Sequence, residues 1–539
     1  MPRRARRHAL LTRTAATCML VAALLSGCTT RQEANQSGGP TASNATASNA
    51  TASNATTQAG GTVTWAKPVE ATALDPTTAL LGPSWELHHL VYDSLVGLDE
   101  QLNVVPSLAT EWEVTSPTEY VFTLRPGVKF SNGRELAASD VVDTFKRYLD
   151  PSLNTFQSSL IGADTRVEQV DEQRVRFILG QPNSDFLQQL TASFMSILPM
   201  KEVLAEGIDL SREMLGTGSF QLKSHLQNQE WVFERNPHAW EPPIIDEMRV
   251  KIIPDDSARI AALNAGSVDV ATFDLPDAGT LLQGNDNIQT VVQNRTDYYI
   301  LQLNAISHPA FKDVRVRQAI AYGLDRDKIK SGALANLGDP TAAASAAFKL
   351  CDLESMTGYK RDVAKAKQLL AEAGQSTLSF EIIYPGETFG RIAQVVKENL
   401  AEIGVTVKLS NLDEGVLYKK AWQSNPSEMD ATIVWYAGYG GPTMVMNWWK
   451  PAGFNAGFQI DDSNLNETIS AAQQATDDNK KNAVHAACEA IAAQANQIPL
   501  VTKPVTVAFR SDTLNASFHQ IDGVINPMAE VASFTKVGQ

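Results

Sequence analysis

Between Leu378 and Leu409 the hydrophobic period changes twice, and this constrains the fold more than any other stretch of the chain. Leu378, Phe380 and Ile382 alternate, as in a half-buried strand. From Phe389 onward FGRIAQVVKENLAEIG places Ile392, Val395, Val396, Leu400 and Ile403 at helical spacing, and Gly404 stands where a helix C-cap belongs. VTVKL then alternates again. Strand, helix, strand is a βαβ unit, whose crossover is right-handed and whose strands are parallel. The spacing therefore predicts an α/β architecture with a parallel sheet. Ligands of open α/β sheets gather beyond the carboxyl ends of the strands, which puts Tyr384 and Glu387 on a rim.

The N-terminus does not belong to that fold. Five arginines (Arg3, Arg4, Arg6, Arg7, Arg13) precede an apolar run from Thr14 to Gly27. The run falls short of the roughly 20 residues a membrane span needs and has the proportions of a signal-peptide core. Residues 1–27 are read as a lipoprotein signal peptide, because Leu25-Ser26-Gly27-Cys28 resembles a lipobox with Cys28 as the lipidated residue. Residues 28–59, with the repeat TASNATASNATASNATT, hold no aromatic or large aliphatic side chain, so they cannot offset their ordering entropy and read as a tether. The product is expected to be exported and lipid-anchored on the outer face of the cell membrane. Removing residues 1–27 leaves 40 Lys and Arg against 60 Asp and Glu, a net charge of −20. That acidity excludes nucleic acid as a natural partner. Cys351 and Cys488 remain beyond the anchor, free to form a disulfide in an oxidising compartment or to stay apart.

About 480 residues from Gly60 onward exceed one hydrophobic core, so at least two lobes are expected. GGTVTWAKP predicts a strand with Val63 and Trp65 on one face. Trp112 and Val114, then Tyr120, Phe122 and Leu124, alternate across a turn at Ser116-Pro117-Thr118 and predict a hairpin. Ser139 is a candidate N-cap for a helix carrying Val142, Phe145 and Tyr148. A second hairpin is expected through Val167, Val170, Val175, Phe177 and Leu179.

No motif for catalysis appears: there is no G-x-S-x-G, H-E-x-x-H, C-x-x-C or P-loop. Ser533 to Lys536 forms an S-x-x-K three residues from the end of the chain, without the rigid support a nucleophile needs. His88-His89 with Asp93 supplies too few ligands for a metal site. The chain is not expected to be an enzyme or to hold a cofactor or metal. What it has instead is VWYAGYGGPTMVMNWW, Val434 to Trp449, with Trp435, Tyr436, Tyr439, Trp448 and Trp449 among three glycines and no charge. Rings set on a glycine-bearing loop beyond a strand suit a ligand wall, where flat faces stack and backbone comes close.

The segment LATEWEVTSPTEYVFTLRPGVKFSNGRELAASDVVDTFKR, Leu108 to Arg147, resembles the signature region of family 5 extracellular solute-binding proteins, the oligopeptide- and dipeptide-binding lipoproteins of ABC importers. The resemblance continues through Ala73-Leu74-Asp75-Pro76, the block from Leu215 to Phe220, Glu234-Arg235-Asn236-Pro237, the block from Phe311 to Ala319, Leu324-Asp325-Arg326 and the block from Leu369 to Gly374. It implies a two-lobed periplasmic-binding-protein-like fold (type II, cluster C) with an extra subdomain in lobe I. Lobe I would span 60–305 with an inserted subdomain at about 100–212, lobe II 306–505, and residues 506–539 would return to lobe I. It further implies a monomer that encloses a peptide-like solute between lobes, linked by crossovers near Leu303-Asn304 and Lys503-Pro504, and delivers it to permease and ATPase subunits.

In peptide-binding members the loop matching WYAGYGGPT carries an aspartate for the peptide ammonium; here that position is Gly438. No Asp or Glu occurs between Asp430 and Asp461, so another acid would have to serve, with Glu70 (a family position facing ligand) and Glu387 as candidates. Gly438→Asp is expected to restore affinity for free N-termini. The ligand set is read as Glu70, Trp85, Tyr298, Tyr384, Glu387, Trp435, Tyr436, Gly438, Tyr439 and Trp448, with Tyr299 as a further wall residue and Arg391 on a solvated helix face. The alternatives are an N-blocked peptide, glycoconjugate or other amphipathic solute, or a sensor or envelope interaction protein uncoupled from transport.

Overall fold

The computed structural model describes residues 57–538 except 154, 342–347, 349, 352–355, 357–359, 452 and 477–478. The signal peptide, Cys28 and most of the tether lie outside the described residues. The tether expected to run to 59 ends sooner, because Thr57 and Gln58 pair as a short strand with Val537 and Lys536.

The predicted βαβ unit is present. Strand Ser379–Tyr384, helix Gly386–Glu402 and strand Thr406–Asn411 follow one another, with the two strands parallel. The helix buries Ile392, Val395, Val396 and Leu400, the positions its period selects, and Gly404 takes φ +86°, a conformation that costs glycine little and releases the chain into the next strand. These strands join Ala431–Tyr436, Tyr298–Leu303 and Gln497–Thr502 in a five-stranded sheet ordered Thr406–Asn411, Ser379–Tyr384, Ala431–Tyr436, Tyr298–Leu303, Gln497–Thr502. Every residue of Tyr298–Leu303 and Gln497–Thr502 is buried, which is why neither strand alternates in sequence.

A second body is built on an eight-stranded sheet. Thr62–Lys67 runs parallel to Glu247–Ile252 on one side and to Val270–Phe273 on the other, with Val63 and Trp65 fully buried. Val505–Arg510 then pairs antiparallel with both Val270–Phe273 and Ile288–Arg295. The two sheets, with helices packed against each, make the mixed α/β, two-lobed fold.

Sheet membership moves one expected boundary. Ile288–Arg295 lies in the eight-stranded sheet and Tyr298–Leu303 in the five-stranded one, so the chain first passes between them at Thr296-Asp297, ahead of residue 305. The return passes through Lys503-Pro504, between Gln497–Thr502 and Val505–Arg510.

A separate four-stranded antiparallel sheet of Ala109–Ser116, Glu119–Leu124, Arg174–Ile178 and Arg166–Gln169 contains both predicted hairpins. Beside it the helix Ala138–Tyr148 starts earlier than Ser139 suggested. Its cap residue is Ala137 in extended backbone, and the Asp140 carboxylate accepts the Ala137 N–H at 2.9 Å. An acid one turn inside the helix thus supplies the reciprocal half of a capping box, holding the cap residue's own N–H.

Candidate functional site

The aromatic stretch leaves the five-stranded sheet where strand Ala431–Tyr436 ends, crosses Ala437 to Gly441, and turns through the short helix Pro442–Val445 and the 3-10 turn Met446–Trp449. Tyr436, Tyr439 and Trp449 are buried, and Trp435 and Trp448 are half-buried. Tyr439, held at φ +51°, lies 5.9 Å from Trp85 and 5.9 Å edge-on from Phe194, centroid to centroid. Trp448 stacks on Phe156 at 6.5 Å and leans on Tyr436 at 5.1 Å. Trp85, Phe156 and Phe194 come from the part of the chain before the first crossing; Tyr436, Tyr439 and Trp448 come from after it. The two bodies therefore meet through opposed rings at 5–7 Å, the spacing at which such pairs attract.

Of the predicted wall residues, Trp85, Tyr436, Tyr439 and Trp448 come together here. Tyr298 is buried behind them, 6.4 Å from Tyr436 and 6.3 Å from Trp449. Trp435 is half-buried beneath the Lys503 ammonium, 5.2 Å from the ring centre. Tyr299 packs instead on Phe389. Tyr384 is half-buried and set against Gly390, outside the ring cluster.

The two acids expected to replace the loop aspartate are both engaged within the chain. Glu70 accepts from the Trp231 indole at 2.5 Å, from the Asn228 backbone at 2.6 Å and from its neighbour Ala71 at 2.9 Å, with His225 at 3.5 Å, so its oxygens are spent within its own body. Glu387 is exposed and paired with Arg391 at 2.8 Å. Arg391 is not merely solvated: it also reaches Asp277, in the eight-stranded-sheet body, at 2.5 Å. Gly438 admits no side chain, since a Cβ there would lie 1.8 Å from the Thr296 carbonyl oxygen. The Gly438→Asp expectation is thereby overturned; the backbones approach too closely.

The acid at this place is Asp297, on the facing strand. Tyr298 pairs with Tyr436, which brings Asp297 alongside the loop, and its Oδ1 accepts the Gly438 N–H at 3.1 Å. Asp297 is 1% exposed, and its Oδ2 accepts no hydrogen bond among the described residues. Burial pushes its pKa up to about 6, against the pull of Arg295 and Lys503. Arg295 lies 3.9 Å from Asp297, 3.2 Å from Asp522 and 3.5 Å from Glu86; Lys67 pairs with Glu86 at 2.7 Å, and Lys503 pairs with Asp274. Four carboxylates thus share three cations. Sequence reading passed over Asp297, although Arg295-Thr296-Asp297 sets two charges at the mouth of a strand with none.

The histidines take structural places. His88 bonds the Ala73 carbonyl and burial lowers its pKa to about 4; His89 bonds the Val524 carbonyl; Asp93 accepts from Thr217 and Trp240. Ser533 donates to Glu530 O, and Lys536 pairs with Asp269 at 2.7 Å. Cys351 and Cys488 form a disulfide with Cα atoms 5.8 Å apart.

The two α/β bodies thus meet through aromatic rings, with the buried carboxylate of Asp297 beside them. The chain belongs to the bacterial extracellular solute-binding proteins, family 5, whose profile matches residues 103–457. It is 29% identical over 365 residues to Di/tripeptide-binding protein 2 of Pseudomonas aeruginosa (strain UCBPP-PA14), covering 62% of this chain and 68% of that one. It is 24% identical over 455 residues to the glutathione-binding protein GsiB of Escherichia coli (strain K12), covering 81% and 88%. Its fold is similar to that of the ABC transporter substrate-binding protein CtaP of Listeria monocytogenes (TM-score 0.80, 19% identity, covering 89% of this chain and 100% of that one). It is also similar to DppA of Helicobacter pylori in complex with the peptide STSA (TM-score 0.76, 22% identity, covering 89% and 99%).

Proposed function

We propose that the chain is the substrate-binding subunit of an ABC importer, tethered to the outer face of the cell membrane through Cys28, and that it encloses a peptide-like solute between its two bodies for delivery to a permease. The observation that carries this reading is Asp297 beside the loop ring cluster. A carboxylate with an unused acceptor, in a cluster one cation short, favours a ligand that brings an ammonium group. The surrounding rings favour flat or apolar groups next to that charge. Relatives named for di- and tripeptides and for glutathione support the same class.

In this reading Asp297 stands in for the loop acid that Gly438 replaces. The carboxylate reaches the site from the neighbouring strand, while the loop contributes backbone and rings. Native mass spectrometry of the mature protein, purified without denaturation, tests the proposal through the masses it releases. Short peptides with free N-termini are expected. A single N-blocked or uncharged species would reject the role of Asp297 and make the uncharged loop the specificity element.

A further inference from the structure

A second carboxylate spans the same seam, at the far end of the loop that Asp297 meets at Gly438. Asp185 lies between strand Arg174–Ile178 of the four-stranded sheet and the short helix Phe186–Gln189, and it is fully buried. None of the groups it meets across the seam is near in sequence. Its Oδ2 accepts from Thr443 N at 2.7 Å, Thr443 Oγ1 at 2.6 Å and Met444 N at 3.1 Å, and its Oδ1 lies 3.0 Å from Lys480 Nζ. Lys480 also donates to the Ser184 carbonyl at 2.5 Å, and Ser184 N donates to Gln473 O at 2.7 Å. The space for Asp185 exists because residue 441 is glycine: a Cβ there would lie 2.5 Å from the Asp185 carboxyl carbon.

These partners share one property. Thr443 and Met444 open the helix Pro442–Val445, which continues directly from the Ala437 to Gly441 loop, and their N–H groups have no carbonyl within their own helix to accept them. Asp185 supplies that acceptor from the other body. It can do so only while the bodies are together. We infer that Asp185 is a positioning residue that, with Lys480, acts as a catch. It fixes the ring-bearing loop from across the seam when the bodies meet, and so sets how long an enclosed solute stays. The inference rests on the proposed enclosure of a solute between the bodies.

A catch formed after encounter changes the dissociation rate and leaves association nearly untouched. Charge-assisted hydrogen bonds of this kind correspond to a roughly tenfold to hundredfold change in rate. Asp185→Asn keeps the shape and one acceptor but loses the charge. Lys480→Gln removes the cation from a half-exposed site and carries little risk to folding.

The experiment uses the mature chain as Cys28→Ser, with nitroxide labels introduced by Leu204→Cys and Val416→Cys. Both label positions are exposed, one on each body. Label separation is measured by pulsed electron resonance with and without trialanine, and trialanine binding and release are timed by stopped flow. The expected result is a short-distance population in the parent that shrinks in Asp185→Asn and in Lys480→Gln. Trialanine release should quicken about tenfold, with association within twofold. If the parent neither binds trialanine nor responds to it, the peptide reading fails on its own; loss of the short-distance population in the ligand-free variants then still supports the catch. Equal short-distance populations in parent and both variants overturn it.

Discussion

Replacing Asp297 with asparagine removes a buried charge while keeping the side chain's shape and its acceptor for the Gly438 N–H. The carboxyl is held at about 6 in the folded chain against its ordinary 3.8, chiefly by burial. At about 1.4 kcal/mol per pH unit this difference corresponds to about 3 kcal/mol. A raised carboxyl binds its proton more tightly when folded. Its stabilising contribution is therefore complete below pH 3.8 and lost as pH rises through about 6. Part of this is already lost at pH 4, so the wild-type protein should lose about 2.5 kcal/mol relative to Asp297→Asn between pH 4 and pH 7.5. Arg295, Lys503, Asp522 and Glu86 surround the group and are present in both proteins, so the difference isolates Asp297. Urea unfolding at pH 4, 5, 6, 7 and 7.5 supplies the two curves. Trialanine should act in the opposite sense, binding more tightly to wild type as pH rises through 6 and showing no such rise in the variant. Parallel stability curves would refute the assignment of a buried, raised carboxyl. A shared pH profile of binding would refute its role toward a cationic ligand.

Loss of the Cys351–Cys488 disulfide, which closes 137 residues, should cost up to about 5 kcal/mol by chain entropy; calorimetry with and without reductant measures the fall in Tm. Gly438→Asp should destabilise the fold by several kcal/mol, about what forcing two backbones apart costs, and should bring no new peptide affinity. A folded variant with tighter peptide binding would contradict the contact with Thr296. Tyr439→Ala removes a ring packed against Trp85, Phe156 and Phe194 and should cost about 3–5 kcal/mol of stability in the assembled state. The loss should be greater with ligand present than without, as read by thermal shift.

How far the sequence reaches depends on whether the signal is local. The βαβ unit and the hairpins rest on periods within thirty residues, and the structure contains them at those places. Strand Tyr298–Leu303 carries no period because it is buried on both faces, so nothing in YYILQL says which sheet it enters, and the first crossing was placed too late. The ring loop stands out in the sequence because its composition is extreme. Its counterparts Phe156 and Phe194 were not, since single aromatics in ordinary segments look like core. Asn183-Ser184-Asp185 reads as a turn, and its partners lie about 260 residues away. Glu70 was misplaced because family position said where the residue stands but not that Trp231 and Asn228 hold its oxygens.

The two places where the chain passes between the sheets are joined to each other: Lys503 N donates to the Asp297 carbonyl at 2.7 Å. Asp297 therefore holds three parts of the chain at once. Its carbonyl receives the return passage, its carboxylate receives the ring loop through the Gly438 N–H at 3.1 Å, and its own backbone is the outgoing passage. The tie between the passages is made by main chain alone, so exchanging the Asp297 side chain alters the charge there and leaves that tie standing.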